Sequence, residues 1–241
     1  MTLNWTKTLA LSALGATALA LPLSAMDFSG GYLTGAHAEF TDRDTIRKSG
    51  VTAGAEYRLN DRYNLQIDAN TFRFNEADTG SYNLAVHGIR HLNETFSVGA
   101  FVGTERVSNQ SAGYYGTEAA LGSGPLTVET YAAKFVEGDD RDAATFGISA
   151  SASITERIDL GLDYGRFEIT GTRDVSRVSA KASYQLSNRA SLNAEYGRVE
   201  LGSPFGNLDD NFVSLGVTIH FGDTGRTTFG QRGLSTLLPG G

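Results

Sequence analysis

The chain has 241 residues, 20 basic against 27 acidic side chains for a formal charge of −7, 40% hydrophobic residues, 29 Gly, 4 Pro and no Cys. Lack of Cys excludes a disulfide scaffold and any thiolate metal site, and the acidic balance gives no reason to expect a nucleic-acid partner. A mean hydropathy of −0.20 reads as soluble, yet a membrane-spanning sheet that alternates apolar and polar faces averages to a similar value.

The first 25 residues stand apart. Lys7 is their only charge, an apolar stretch runs from Thr8 to Leu21, and Pro22 precedes a small-residue end at Ala25. A basic start, a short apolar core and a small residue at the cut predict a secretory signal over residues 1–25. Its removal takes away Lys7 alone and moves the formal charge from −7 to −8. No later stretch reaches the roughly 18 apolar residues of a membrane helix. If the remainder enters a membrane, it must do so as a closed barrel.

Five turn motifs then recur: LNDRY from Leu59, LNETF from Leu92, LGSGPL from Leu121, ITERI from Ile154 and LSNRASL from Leu186. Their starts lie 33, 29, 33 and 32 residues apart. The flanks alternate with the strand period of two. Val51, Ala53, Ala55 and Tyr57 face one way, and Thr52, Gly54, Glu56 and Arg58 the other. Ile158, Leu160, Leu162 and Tyr164 oppose Asp159, Gly161, Asp163 and Gly165 in the same way. Each unit of about 32 residues holds two strands of about ten, one tight turn and one longer loop, and ten tilted residues cross a bilayer. The pattern predicts an all-β, antiparallel up-and-down barrel of about 12 strands over residues 26–221, both termini on the side of the tight turns. Aromatic residues gather near strand ends: Tyr57, Tyr63, Phe96, Tyr184 and Phe221 by the turns, and Phe40, Tyr82, Tyr115 and Phe146 opposite, as two interfacial belts require.

The polar parity predicts a wet lumen lined by Glu39, Glu56, Arg58, Asp68, Glu105, Glu118, Glu129, Asp159, Asp163, Lys181 and Glu195. Acids dominate this set, so a weak cation preference is expected of any pore it surrounds. Parity also places His37, His87, His91 and His220 inward. A barrel lipase needs its His beside a Ser and an orienting acid at the lipid face, so no catalytic site is expected. His87 and His91 are four residues apart on one strand, too far to share a metal, and neither metal nor cofactor is expected. The acids of residues 137–142 and the Asp209-Asp210 pair fall on the loop side, where divalent cations could bridge them to lipopolysaccharide.

The segment from Ser214 through Gly216, Val217, Ile219 and His220 to Phe221 resembles the C-terminal β-signal of outer-membrane proteins. With the export signal and the hairpin repeat, the chain resembles the porin-like outer-membrane barrels of Gram-negative bacteria. That resemblance implies an outer-membrane location and a passive channel for small hydrophilic solutes or ions. A non-conducting structural barrel is the alternative, and a lipid-modifying barrel enzyme a more remote one. It also implies insertion by the barrel-assembly machinery through Gly216, Ile219 and Phe221, among outer-membrane lipid and lipopolysaccharide. The sequence departs from the pattern after Phe221, where the aromatic is normally terminal. Residues 222–241 form a Gly-rich extension without strand alternation. It reads as a free periplasmic tail, or as a segment that folds into the mouth and narrows it.

Overall fold

A sheet that crosses a bilayer leaves no backbone N–H or C=O unpaired only if its first and last strands meet. The computed structural model describes residues 26–41, 46–75, 80–108, 110–136, 143–169, 173–202 and 208–239, and they meet that condition. The twelve strands are β1 Asp27–Phe40, β2 Arg47–Arg58, β3 Tyr63–Phe74, β4 Gly80–His91, β5 Phe96–Val107, β6 Gln110–Ser123, β7 Leu126–Val136, β8 Ala143–Thr155, β9 Ile158–Ile169, β10 Arg173–Ser187, β11 Ala190–Gly202 and β12 Leu208–Gly222. Each pairs antiparallel with its sequence neighbours, and β1 pairs with β12 from Gly30↔Gly222 to Phe40↔Phe212. The result is a closed up-and-down barrel. Residues 1–25, and with them the expected signal, lie outside the described residues.

The repeated turns work through short polar side chains. Asn60 Oδ1 accepts the backbone N–H groups of Arg62 and Tyr63 at 3.0 and 3.1 Å. Asn93 does the same for Thr95 and Phe96 at 2.9 and 2.8 Å. Thr155 Oγ1 takes that role for Arg157 and Ile158. A side chain that satisfies its own turn needs no other partner, which keeps these connections short. The expected termini on the tight-turn rim follow, since β1 begins and β12 ends there.

Alternation sets what each face carries. Leu162 is 64% exposed and Leu215 57%, on an outward band with Leu84, Ile148, Val178 and Val217. Outward aromatics border it: Phe28, Tyr63, Tyr184 and Phe221 toward the turn rim, and Tyr82, Tyr115 and Phe146 toward the loop rim. Phe40, expected in the second belt, instead lies on the inward parity beside buried Phe212. The interior is not uniformly small and polar either. Phe72, Phe101, Tyr114, Phe135, Phe167 and Phe212 are all buried inside it, and Phe135 meets Phe167 edge to face at 5.2 Å.

Leu162→Arg puts a charge in the middle of the lipid-facing band. It should lower the stability of the barrel folded into lipid vesicles by about 2–4 kcal/mol, read from urea titrations of refolding.

Candidate functional site

The C-terminal segment enters the lumen. Gly222 leaves β12 with a φ of +73° and Gly225 follows at +63°, left-handed values that glycine reaches without Cβ strain. Between them Thr224 donates its backbone N–H to Ser29 O, and the chain turns back inside the wall. His220 Nδ1 lies 2.6 Å from Gly225 O; a carbonyl only accepts, so that nitrogen carries the proton.

From there the chain climbs the wall formed by β2 to β7, and inward side chains meet backbone groups along most of its length. Thr228 N–H donates to Glu56 Oε2 at 2.5 Å. Gln66 forms a reciprocal pair with Phe229, donating Nε2–H to its carbonyl at 2.8 Å and accepting its N–H at 3.1 Å. Gly230 N–H donates to Glu129 at 3.0 Å. Gln231 donates to Ala53 O at 3.1 Å and accepts from Asn70 at 2.9 Å. A single 3₁₀ turn over Leu234–Leu237 closes the climb. Its first two N–H groups, on Leu234 and Ser235, donate to the two oxygens of Glu105 at 2.6 and 2.8 Å. Lys48, at the loop end of β2, lies 3.5 Å from the carbonyls of Ser235 and Leu238, and Arg177 donates to Thr236 O.

Arg232 anchors the segment. Its guanidinium donates to Glu118 Oε2 at 2.8 Å and to Glu129, and its side chain is 3% exposed. The charge lies 4.4 Å from the centre of the Tyr131 ring, close enough for the ring quadrupole to contribute. Glu118 also holds His87 Nδ1 at 2.7 Å, and His87 Nε2 lies 3.1 Å from Asp68. Five ionisable groups thus share a largely buried site, where an unpaired charge is strongly destabilising. Two apolar anchors flank them: Phe229 packs with Ile89 and Ala120, and Leu237 with Tyr114, Phe135 and Phe167. Glycines in the wall make the room. A Cβ on Gly99 would stand 2.8 Å from the Phe229 ring, and one on Gly165 2.5 Å from Leu237.

The segment covers one side of the lumen. On the other, between β8 and β12 and across to β1, a cavity of about 470 Å³ remains, lined by Tyr32, Thr34, Asp159, Asp163, Lys181, Asn193, Glu195 and Thr218. Lys181 lies 3.3 Å from Asp163, and Arg177 pairs with Glu195.

Of the charges expected to line the lumen, Glu56, Glu105, Glu118 and Glu129 bind the C-terminal segment, and Asp68 is buried against His87. Asp159, Asp163, Lys181 and Glu195 border the cavity, and Arg58 is exposed at the turn end of β2. Glu39 is a correction: it lies on the outward face of β1, as does His37, and both are about half exposed. The inward residues of that strand are Tyr32, Thr34 and Ala36. A register irregularity between Phe28 and Gly30, and small residues on both faces of the strand, remove the apolar contrast that fixes parity elsewhere. His87, His91 and His220 do face inward; His91 meets Ser97 and His220 meets Ser191. Residues 137–142 lie outside the described residues. Asp209 pairs with Arg198, and Asp210 is buried.

Sequence reading overlooked Arg232, Gln231, Gln66, Lys48 and Tyr114. One signal was available: an inward surplus of carboxylates, with too few basic partners on the strands, calls for a cation from elsewhere in the chain.

A closed barrel with an apolar outer band, two aromatic borders and a charged lumen defines an outer-membrane channel protein of Gram-negative bacteria. The family follows: a model of the Gram-negative porins matches residues 7–203, and the chain belongs to that family. Among solved structures it is similar to the KdgM porin, with a TM-score of 0.62 and 13% identity over 79% of this chain and 99% of that one. It is also similar to the NanC porin, with a TM-score of 0.66 and 10% identity over 78% and 98%. An outer-membrane channel from Pseudomonas putida F1 aligns at a TM-score of 0.53 and 14% identity over 84% and 97%. A comparison with curated protein sequences found no match.

Arg232→Leu leaves Glu118 and Glu129 without their cation. It should weaken docking of the segment by on the order of 3–5 kcal/mol. Hydrogen exchange should then rise sharply over residues 227–238 while the strands stay protected.

Proposed function

We propose that this porin passes small hydrophilic solutes or ions by passive diffusion along the β8–β12 side of its lumen, and that its C-terminal segment keeps the path narrow. The observation that carries this reading is the continuous hydrogen bonding of residues 228–238 to the opposite wall, from Glu56 to Lys48. A barrel of this size has room for a channel when its interior is not filled by side chains. Here the filling comes from a separable segment.

The cavity charges support a weak cation preference. Asp163 is matched by Lys181 and Glu195 by Arg177, whereas Asp159 near the turn rim is held by Ser153, a neutral partner. One carboxylate without a basic partner among the described residues biases the potential of a narrow mouth toward cations without excluding anions. A filled, non-conducting barrel is the second reading, favoured by the buried layer of Phe72, Phe135, Phe167 and Phe212 toward the loop rim. The terminal strand is proposed as the assembly signal, with Ile219 and Phe221 projecting outward where an assembly factor can read them.

Planar-bilayer recordings separate the two readings. The full chain should give small conductance steps, and a chain ending at Gly222 steps several-fold larger. Equal steps would remove the role of the segment, and silence from both chains would leave the filled barrel. In a potassium chloride gradient the reversal potential should lie slightly toward potassium and move toward zero in Asp159→Asn. A potential favouring chloride would overturn the cation preference.

A further inference from the structure

The outer wall carries a cluster that diffusion through the lumen does not use. Register sets His37 of β1 opposite Ser49 of β2, and Ser49 opposite Arg73 of β3. The alternation that turns Lys48 and Gly50 inward turns these three outward. Ser49 Oγ lies 2.8 Å from His37 Nδ1. His37 Nε2 lies 3.3 Å from Glu39 Oε1, two residues along the same face. Arg47 Nε holds that carboxylate oxygen at 3.0 Å. The row sits within a few residues of the loop ends of β1 and β2, just beyond the aromatic border marked by Tyr82, and such a border lies at the headgroup level of a bilayer.

Past Ser49 the wall opens into a groove of about 580 Å³ bordered by Val51, Arg73, Gly80, Tyr82 and Arg106. A Cβ on Gly80 would meet nothing within 4 Å, so the missing side chain leaves the groove clear. Hydroxyl, imidazole and carboxylate in hydrogen-bonded sequence are the parts of an activated serine nucleophile, and such a set is recognised by geometry rather than by fold.

We propose that Ser49, His37 and Glu39 form an esterase site on the lipid-facing wall, acting on acyl esters of outer-leaflet lipids. Ser49 donates its proton to His37 Nδ1 as its Oγ bonds to the ester carbonyl carbon. His37 then returns that proton to the departing alkoxide as the carbon–oxygen bond breaks, leaving an acyl-Ser49 and a free alcohol. Water, deprotonated by His37, attacks the acyl group; fatty acid leaves, and the proton restores the Ser49 hydroxyl. Nε2–H donates to Glu39 throughout, so the carboxylate positions the ring in the tautomer this sequence needs. Arg73, directly across from Ser49 in register, borders the groove beside the nucleophile. The groove beyond takes the acyl chain against Tyr82 and Val51, with Arg106 near the headgroup phosphate. None of this depends on whether the lumen conducts.

The full-length protein is refolded into phosphatidylethanolamine vesicles, with and without lipopolysaccharide, and fatty-acid release is followed. Release from the vesicles without lipopolysaccharide identifies a phospholipid substrate, and release only when lipopolysaccharide is present a glycolipid. Ser49→Ala and His37→Ala should each lower it by about a hundredfold or more, while single-channel conductance and heat-modifiable mobility stay as in the parent. Glu39→Gln should lower release, and Glu39→Asp restore part of it. A fluorophosphonate probe should label Ser49, located by peptide mass, in the parent and not in Ser49→Ala. Release absent from both vesicles, or surviving Ser49→Ala, overturns the proposal.

Discussion

Everything in this molecule depends on the hydrogen-bonded seam between β1 and β12. Hydrocarbon offers no partner to a backbone N–H or C=O, so an open edge at that depth is intolerable. Pairing from Gly30↔Gly222 to Phe40↔Phe212 removes the edge. It also commits each strand to one outward and one inward row. The seam further fixes where β12 ends, at the turn rim beside Ser29, so the segment that follows starts at the mouth of the lumen.

Closure creates the second constraint, which is electrostatic. Glu56, Asp68, Glu105, Glu118 and Glu129 face the same side of a narrow interior whose strands supply few cations. Carboxylates so placed need either water or partners. The C-terminal segment provides partners of two kinds: the guanidinium of Arg232 for Glu118 and Glu129, and backbone N–H groups for Glu56, Glu105 and Glu129. Arg177 and Lys48 reverse the pattern by meeting carbonyls of the segment. Acids read as a selectivity wall are therefore in large part the seat of an internal ligand. The cavity that remains is bordered by charges mostly matched among themselves, which is why only a weak ionic preference is expected of it.

The outer wall follows different physics. Across the hydrocarbon band it is apolar, but at the loop rim polar residues return because headgroups and water return. Most of the polar groups there form neighbouring pairs, such as Arg166 with Glu168 and Asp174, or Arg198 with Glu200 and Asp209. The row of His37, Ser49 and Glu39 differs in that one of its bonds joins a nucleophile to a base. The expectation of no catalytic site rested on a parity that put all four His residues inside; of these, only His37 lies on the outer face, where the proposed site is built.

The sequence by itself determined the strand period, the turn chemistry of Asn60, Asn93 and Thr155, the twelve strands and the facing of all but one of them. These are local properties: a two-residue alternation and a self-satisfied turn are written within a few positions of each other. The tertiary structure decided the rest. In β1, Gly and Ala on both faces leave no local contrast, so neighbouring strands set which side Glu39 and His37 take. The C-terminal segment has no period at all. Its conformation comes from groups far away in the chain, most of them more than a hundred positions off, as when Arg232 reaches Glu118 and Glu129, and those groups share a space only once the barrel has closed.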